Sequence, residues 1–197
     1  MTSMRRLVVA LGAASLLLLA AGTSSASRGI AFSPTSWTAT STALTFTDEE
    51  GSFSIVCEVI LSITITFGET SKINGSPFGH TTWSARNCRG GEVRLLAEPE
   101  LFFVSFTGTL PGDIRSIRIE LRNFQFLVRA FFGAAQCLFG GPVQVTTGGG
   151  SNRATEMRAD ETRIVPMLFR LGGIFCPILG VFRGTFRFNR TITMSLL

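Results

Sequence analysis

Residues 52–67 read SFSIVCEVILSITITF, and every odd-numbered position of this stretch is apolar. Most of the even-numbered positions are Ser, Thr or Glu, so polar and apolar side chains alternate. A period of two is typical of a β-strand that buries one face. The pattern predicts that the odd-numbered residues face a core, while Val56 and Ile60 mark a second face that is partly covered. At ~3.3 Å per residue the run would span about 50 Å, so we expect it to bend or to divide into two strands.

The same alternation returns at the C-terminus, where apolar residues from Phe182 to Leu196 share one face. Arg190 interrupts that face and predicts a turn or a bulge. Residues Ala154–Glu161 lack this alternation, and we expect a short helix there. Pro34 and the Ser/Thr-rich residues 35–42 indicate a lead-in strand or a flexible arm.

Between these segments lie further apolar runs separated by Gly-containing turn signals such as Asn74-Gly75, Arg89-Gly90-Gly91 and Gly140-Gly141-Pro142. The runs are at 92–96, 101–110, 114–121, 124–132, 141–147 and 162–171. Many short strands divided by turn residues are typical of an all-β fold. We therefore expect a single-domain antiparallel β-sandwich, or a barrel-like sheet, of about 8–10 strands.

The first 26 residues have the order of a secretory signal. Arg5 and Arg6 precede an apolar run from Leu7 to Ala21, and small residues follow up to Ala26. This order predicts export with cleavage after Ala26. The apolar run has about 15 residues, whereas a membrane span needs roughly 20, so we expect no membrane span after cleavage. The secreted β domain is then residues 27–197.

Four cysteines, Cys57, Cys88, Cys137 and Cys176, lie in the expected mature chain. An even number of cysteines in an exported protein usually forms disulfides. Three pairings are possible, and we favour Cys57–Cys88 with Cys137–Cys176 because each closes a moderate loop within one half of the chain. Metal ligands need short spacings such as C-x-x-C. The cysteines are 31, 49 and 39 residues apart, so we expect no metal site.

Charge is distributed unevenly along a chain whose formal net charge is +5. Residues 28–113 contain 5 basic and 9 acidic side chains, whereas residues 114–197 contain 11 basic and 4 acidic ones. Such polarity is compatible with an arginine face that meets an anionic partner, for example a cell-wall polymer or a polysaccharide. The spread of these arginines along the chain favours the alternative that they are simply the solvent sides of strands. We expect no nucleic-acid partner in an exported compartment.

No motif in the sequence points to catalysis or to a cofactor. His80 is the single histidine and is not accompanied by a G-x-S-x-G nucleophile elbow, so it predicts a loop or strand-edge residue. Two acidic pairs lie at Asp48-Glu49-Glu50-Gly51, which predicts a hairpin turn, and at Asp160-Glu161. We therefore expect no catalytic, cofactor-binding or metal residues.

Several stretches resemble an uncharacterised group of secreted, β-rich, four-cysteine proteins from high-GC actinobacteria. They are VCEV at 56–59, NCRGG at 87–91, FVSFTGTLP at 103–111, residues 114–128, QCL at 136–138, ADET at 159–162, FC at 175–176 and FRGT at 182–185. The resemblance covers most of the expected mature chain and implies export and four cysteines in this order. It implies no activity, substrate or catalytic residue. This chain has additional Phe and Arg where members of the group often have polar or small residues.

These observations favour a non-enzymatic binding or structural module, secreted or extracellular and located at the cell surface or wall. An extracellular hydrolase with a carboxylate pair is the alternative. A third possibility is an eight-stranded outer-membrane barrel. The direction of the apolar strand faces discriminates the first from the third. A sandwich hides Phe53, Ile55, Leu61, Phe186 and Phe188 inside, whereas a membrane barrel shows its apolar side to lipid.

Overall fold

The computed structural model describes residues 29–48, 51, 54–109, 112–130, 135–159, 164–171 and 176–197. The predicted signal at 1–26, Phe53, Glu49-Glu50 and Asp160-Glu161 lie outside the described residues. The described part confirms the all-β class, and it contains fourteen strands. In chain order they are Gly29–Ser33 (β1), Ser36–Asp48 (β2), Ser54–Ile65 (β3), Glu69–Ser71 (β4), Pro77–Arg89 (β5), Gly91–Leu95 (β6), Glu100–Thr109 (β7), Asp113–Arg122 (β8), Gln125–Ala130 (β9), Ala135–Gly140 (β10), Val143–Gly150 (β11), Arg153–Ala159 (β12), Ile164–Leu171 (β13) and Leu179–Leu196 (β14).

Eight of these strands pair in a closed antiparallel ring. The order around the ring is β12-β11-β8-β7-β5-β3-β2-β14, and β14 pairs back with β12. A second sheet, β13-β10-β9-β6, continues from β14 through the β13–β14 pairing. The Ser/Thr-rich residues 35–42 belong largely to β2, which lies between β3 and β14 and is not a flexible arm.

Strand β3 buries one face as the alternation predicts. Its odd-numbered residues from Ile55 to Ile65 are all buried, and Val56 and Ile60 on the other face are half-buried. The run neither divides nor continues to Phe67, whose side chain is 81% exposed. The burial predicted for Phe67 is wrong because β3 ends at Ile65 and the chain turns at Gly68, which has φ 73°.

The C-terminal strand confirms the predicted bulge. Ala154 pairs with Ile192 and Glu156 with Arg187, so six residues of β14, including Arg190, lie opposite three residues of β12. The apolar face of β14 is directed inward, with Phe186 buried. Ile55 and Leu61 are also buried, and Phe188 is half-buried, so these side chains are directed into the ring.

The short helix expected at Ala154–Glu161 is wrong, because Arg153–Ala159 is strand β12. Met157 and Ala159 are buried while Arg158 is exposed, which is an alternation of period two. The left-handed φ of 55° at Asn152 closes a tight turn after β11. Hydrogen-bonded ladders to both β11 and β14 then outweigh the local helix propensity.

An aromatic cluster joins the second sheet to the ring. The ring centroid of Phe46 in β2 lies 5.2 Å from that of Phe126 in β9, 4.7 Å from that of Phe139 in β10 and 5.4 Å from that of Phe182 in β14. Rings at these distances in tilted or edge-on geometry stabilise a core beyond their buried area. The fold is therefore barrel-like around the ring and sandwich-like where the second sheet packs on it.

Both disulfides have the predicted pairing. Cys57–Cys88 links β3 to β5 at a bulge, with Cα atoms 4.1 Å apart. Cys137–Cys176 links β10 to the segment before β14, with Cα atoms 5.6 Å apart. The described residues include no free cysteine. The two disulfides are compatible with an extracellular or oxidising environment.

Candidate anion-binding groove

The interior of the ring is filled by side chains. Trp37, Leu61 and Phe78 are among the residues that line a void of about 20 Å³. Ligand pockets for small molecules usually enclose ~300–1,000 Å³. The void is large enough for about one water molecule. Among the described residues, the interior of the ring is therefore a packed core.

A groove of about 510 Å³ lies between β5 and the outer face of the second sheet. We call it the arginine groove, because Arg86 of β5, Arg94 of β6 and Arg129 of β9 line it together with Glu92 and Leu127. All three arginines are exposed. The groove therefore combines three guanidinium groups, one carboxylate and an apolar side chain.

The local sequence brings β5 and β6 close together without pairing them. Gly90 connects the two strands with φ 87°, a conformation that L side chains rarely adopt. A Cβ atom on Gly90 would lie 2.3 Å from the backbone oxygen of Ser54. Glycine is therefore required for the sharp reversal that makes β5 one wall of the groove and β6 the other.

Alternation along β6 and β9 directs the charged side chains into the groove. Val128 is buried and packs in the core, whereas its neighbour Arg129 is exposed. Arg129 lies directly opposite Glu92 in the β6–β9 ladder, and Arg94 lies opposite Leu127. The pleat thus places Glu92, Arg94, Leu127 and Arg129 on one face.

Arg86 is held by an acidic partner on the neighbouring strand. Its Nη2 lies 2.5 Å from Oε1 of Glu58, and Nδ2 of Asn87 donates to Oε2 of the same carboxylate at 2.9 Å. These donors lower the pKa of Glu58, and the carboxylate raises the pKa of Arg86. Arg94 and Arg129 form no ion pair with any described residue, so their guanidinium groups are available to an anion.

The Cys57–Cys88 disulfide fixes the wall of the groove formed by β5. Cys88 is half-buried and lines the groove, while Cys57 is buried in the core. The bulge at this position places both Asn87 and Cys88 opposite Cys57, and Asn87 has a φ of 52°. The covalent link thus anchors Arg86 and Asn87 to the core through a short path.

The residues considered for catalysis lie elsewhere. His80 is exposed on β5, opposite Glu100 of β7. It is six residues from Arg86, or about 20 Å along a strand. The amide of Gly51 donates to the carbonyl oxygen of Asp48 at 3.2 Å, while Glu49 and Glu50 of the expected turn lie outside the described residues. Among described residues no group of three His, Cys, Asp or Glu side chains is placed to hold a metal ion.

The charge distribution along the sequence pointed to arginines of the C-terminal half. Two of the three arginines in the groove, Arg86 and Arg94, come from the N-terminal half. Arg86, Arg94 and Arg129 lie on three different strands, and no spacing in the sequence connects them.

The part of the chain described here contains no helix long and apolar enough to cross a membrane. Comparison with family models, with curated proteins and with solved structures gave no match.

Proposed function

We propose that this chain is an exported, non-enzymatic binding module that holds a segment of an anionic cell-surface polymer in the arginine groove. The observation that carries the proposal is the pair Arg94 and Arg129, which face a groove of about 510 Å³ without an ion-pair partner in the described chain. The N-terminal sequence of residues 1–26 and the two disulfides support export.

Guanidinium groups suit this ligand class. Each presents a planar fork of N–H donors that fits a carboxylate or a phosphate with two parallel hydrogen bonds. Leu127 adds an apolar surface between the charged groups, which suits the C–H face of a sugar ring. Polymers that carry carboxylates and polymers that carry phosphates share the chemistry that the groove recognises.

The composition of the groove favours binding over hydrolysis. A glycoside hydrolase normally uses two carboxyl groups that flank the scissile bond. Among the residues that line the groove, Glu92 is the one carboxylate. Glu58 lies next to Arg86, where its ion pair and its lowered pKa keep it ionised and unsuited to act as a general acid.

Retention on immobilised polymers tests the proposal. Purified chain starting at Ser27 is passed over polygalacturonate, polyphosphate and uncharged dextran at increasing salt. We expect retention on one or both anionic supports, a loss of retention with salt, and none on dextran. The two anionic supports distinguish the carboxylate source from the phosphate source. Equal retention on dextran would refute an anionic ligand.

A double variant tests the groove itself. Arg94→Gln with Arg129→Gln should weaken binding by roughly 10- to 100-fold, since each of the two arginines loses a hydrogen bond with a net contribution of about 0.5–1.5 kcal/mol in an exposed groove, and about 1.4 kcal/mol is tenfold. The control is Lys72→Gln with Arg115→Gln, which removes the same charge outside the groove and should change affinity little. Equal losses in the two variants would mean that net charge, not the groove, determines binding.

Export has its own test. N-terminal sequencing of the protein recovered from the culture medium or cell wall should start near Ser27, without a lipid. An intact Met1 in a membrane fraction would refute this part of the proposal.

A further inference from the structure

A second group of arginines lies on the outside of the ring, away from the groove. We call it the outer arginine patch and define it as Arg118 of β8, Arg158 of β12 and Arg183 and Arg187 of β14. All four residues are exposed, and the side chain of Arg158 is 69% exposed. Their neighbours along each strand, such as Ile117, Met157 and Phe186, are buried inside the ring.

The strand register places these arginines close together. Thr146 of β11 lies opposite Arg118 on one side and opposite Arg158 on the other. Two steps between paired strands put the Cα atoms of Arg118 and Arg158 about 10 Å apart. Arg158 also pairs with Thr185, so Arg183 and Arg187 are its diagonal neighbours at about 7–8 Å.

Small side chains separate the arginines and leave their guanidinium groups uncovered. Thr146 and Thr185 lie between them, and Gly148 has no side chain. Two carboxylates share this face. Glu156 lies opposite Arg187, and its Oε1 accepts from Nη2 of Arg158 at 2.7 Å. Glu120 lies two residues from Arg118 on β8, and its Oε1 accepts from Nε of Arg122 at 2.6 Å.

The patch is therefore richer in positive charge than the fold requires. Arg118, Arg183 and Arg187 form no ion pair with any described residue. Like charges that lie close on one face of a sheet repel one another and do not stabilise it. An anionic ligand that lies across the rows would relieve this repulsion, and the spacing of 7–10 Å suits several anionic groups along one chain.

The outer arginine patch and the arginine groove lie on opposite sides of the molecule. β12 carries the centre of the patch, and β5 forms one wall of the groove. These strands are four pairings apart in either direction around the eight-stranded ring. One anionic group therefore cannot contact both surfaces, and a ligand at one surface leaves the other accessible.

We propose that the outer arginine patch is a second binding surface for the same class of anionic polymer, so that one molecule bridges two polymer segments. The class of polymer rests on the proposed function of the groove. The second surface rests on independent observations, namely the register of β8, β11, β12 and β14 and the unpaired arginines on it. The molecule thus acts as a monomeric cross-link between polymer chains.

The test measures binding and cross-linking separately. Sodium polygalacturonate and sodium polyphosphate are each mixed with increasing amounts of the chain that starts at Ser27. Dynamic light scattering follows the hydrodynamic radius, and sedimentation gives the bound fraction. A bridging protein should enlarge the polymer particles at intermediate ratios and less at excess protein, because excess protein occupies every polymer site singly.

Three double variants that lose the same charge are compared. Arg158→Gln with Arg187→Gln should bind with less than about a threefold change, because the groove is intact, yet should leave the radius at the value of the singly coated polymer. The variant that changes Arg94 and Arg129 should bind 10- to 100-fold more weakly. The control that changes Lys72 and Arg115 should cross-link like the unaltered chain.

The possible results separate the two proposals. Full cross-linking by the variant of Arg158 and Arg187 would overturn the second surface, whatever the groove does. A complete loss of binding in that variant would also overturn it, because the patch would then be the primary site and no bridge would exist. Failure of the unaltered chain to bind either polymer, or unchanged binding of the groove variant, would overturn the proposed function of the groove.

Discussion

Leu61→Ala tests whether the closed ring contains the core on which the rest of the molecule depends. Leu61 lies in the middle of β3, is 5% exposed and borders the void of about 20 Å³ inside the ring. Thr64 lies three residues away on the same strand but on the outer face, where it is half-buried. The two positions share strand β3 and its neighbours β2 and β5, and they occupy opposite faces; Thr64 also lies next to the last residue of the strand.

The expected cost follows from the atoms removed. The truncation takes three buried carbon atoms out of the core, which costs about 2.4 kcal/mol at roughly 0.8 kcal/mol each. An unrelaxed void of about 60 Å³ would add ~1.4 kcal/mol at about 24 cal/mol per Å³. A ladder that continues on both sides of β3 limits how far the backbone can collapse into that void. We therefore expect Leu61→Ala to lower the free energy of unfolding by about 4 kcal/mol, whereas Thr64→Ala should cost less than ~1 kcal/mol.

Denaturation by urea, with both disulfides intact, measures the two variants against the unaltered chain. Similar m-values with different midpoints would show a change in stability without a change in the surface exposed on unfolding. For a domain of this size, 4 kcal/mol corresponds to a fall in Tm of about 8–16 °C. Equal losses in the two variants would refute the assignment of the odd-numbered face to the core.

Three further predictions concern single positions. Gly180→Ala should cost about 1–3 kcal/mol, because a Cβ there would lie 2.2 Å from ring atoms of Phe46; unchanged thermal unfolding would contradict this. Glu58→Gln should lower the free energy of unfolding at pH 7, because the ion pair with Arg86 lowers the pKa of Glu58 in the folded state. The difference from the unaltered chain should vanish as the pH falls well below 4.5 and the carboxylate is protonated. Urea denaturation of both proteins at pH 7 and at low pH measures the two expected results. Asn152→Ala should cost about 2–3 kcal/mol, since it removes two side-chain hydrogen bonds and places at φ 55° a residue that tolerates left-handed backbone less well than Asn. Asn152→Gly loses the same hydrogen bonds without that strain and should cost less; equal losses would exclude a backbone contribution.

The alternation of polar and apolar residues predicted which strand faces are buried, because the pleat of a strand allows only one division of its side chains between two faces. The odd-numbered residues of β3 are buried together since side chains alternate sides at every residue. The same rule failed at Phe67, where the chain leaves the sheet. It also left β12 undetected, because Ala154, Met157 and Ala159 fit a helical and an extended spacing almost equally well over so few residues.

The number of strands and the closure of the ring depend on which distant segments pair, and a short stretch of sequence does not show this. Strands β1 and β4 have 5 and 3 residues, too few to show a period, so the expected 8–10 strands fell short of the fourteen among the described residues. Closure requires β12 to pair with β14 across a bulge. Arg190 indicated the bulge, but nothing near it in the sequence indicates the partner strand.

The arginine groove exists because the ring and the second sheet separate along β5. That strand pairs with β7 only from Pro77 to His80, so its residues beyond Thr81 have no ladder partner on that side among the described strands. β6 likewise pairs on one side, with β9. Two strand edges that do not pair would ordinarily invite association with another chain. Under the proposed function, Arg94 and Arg129 make that approach selective, because a polymer that carries negative charge gains contacts there and a neutral strand leaves their guanidinium groups unpaired.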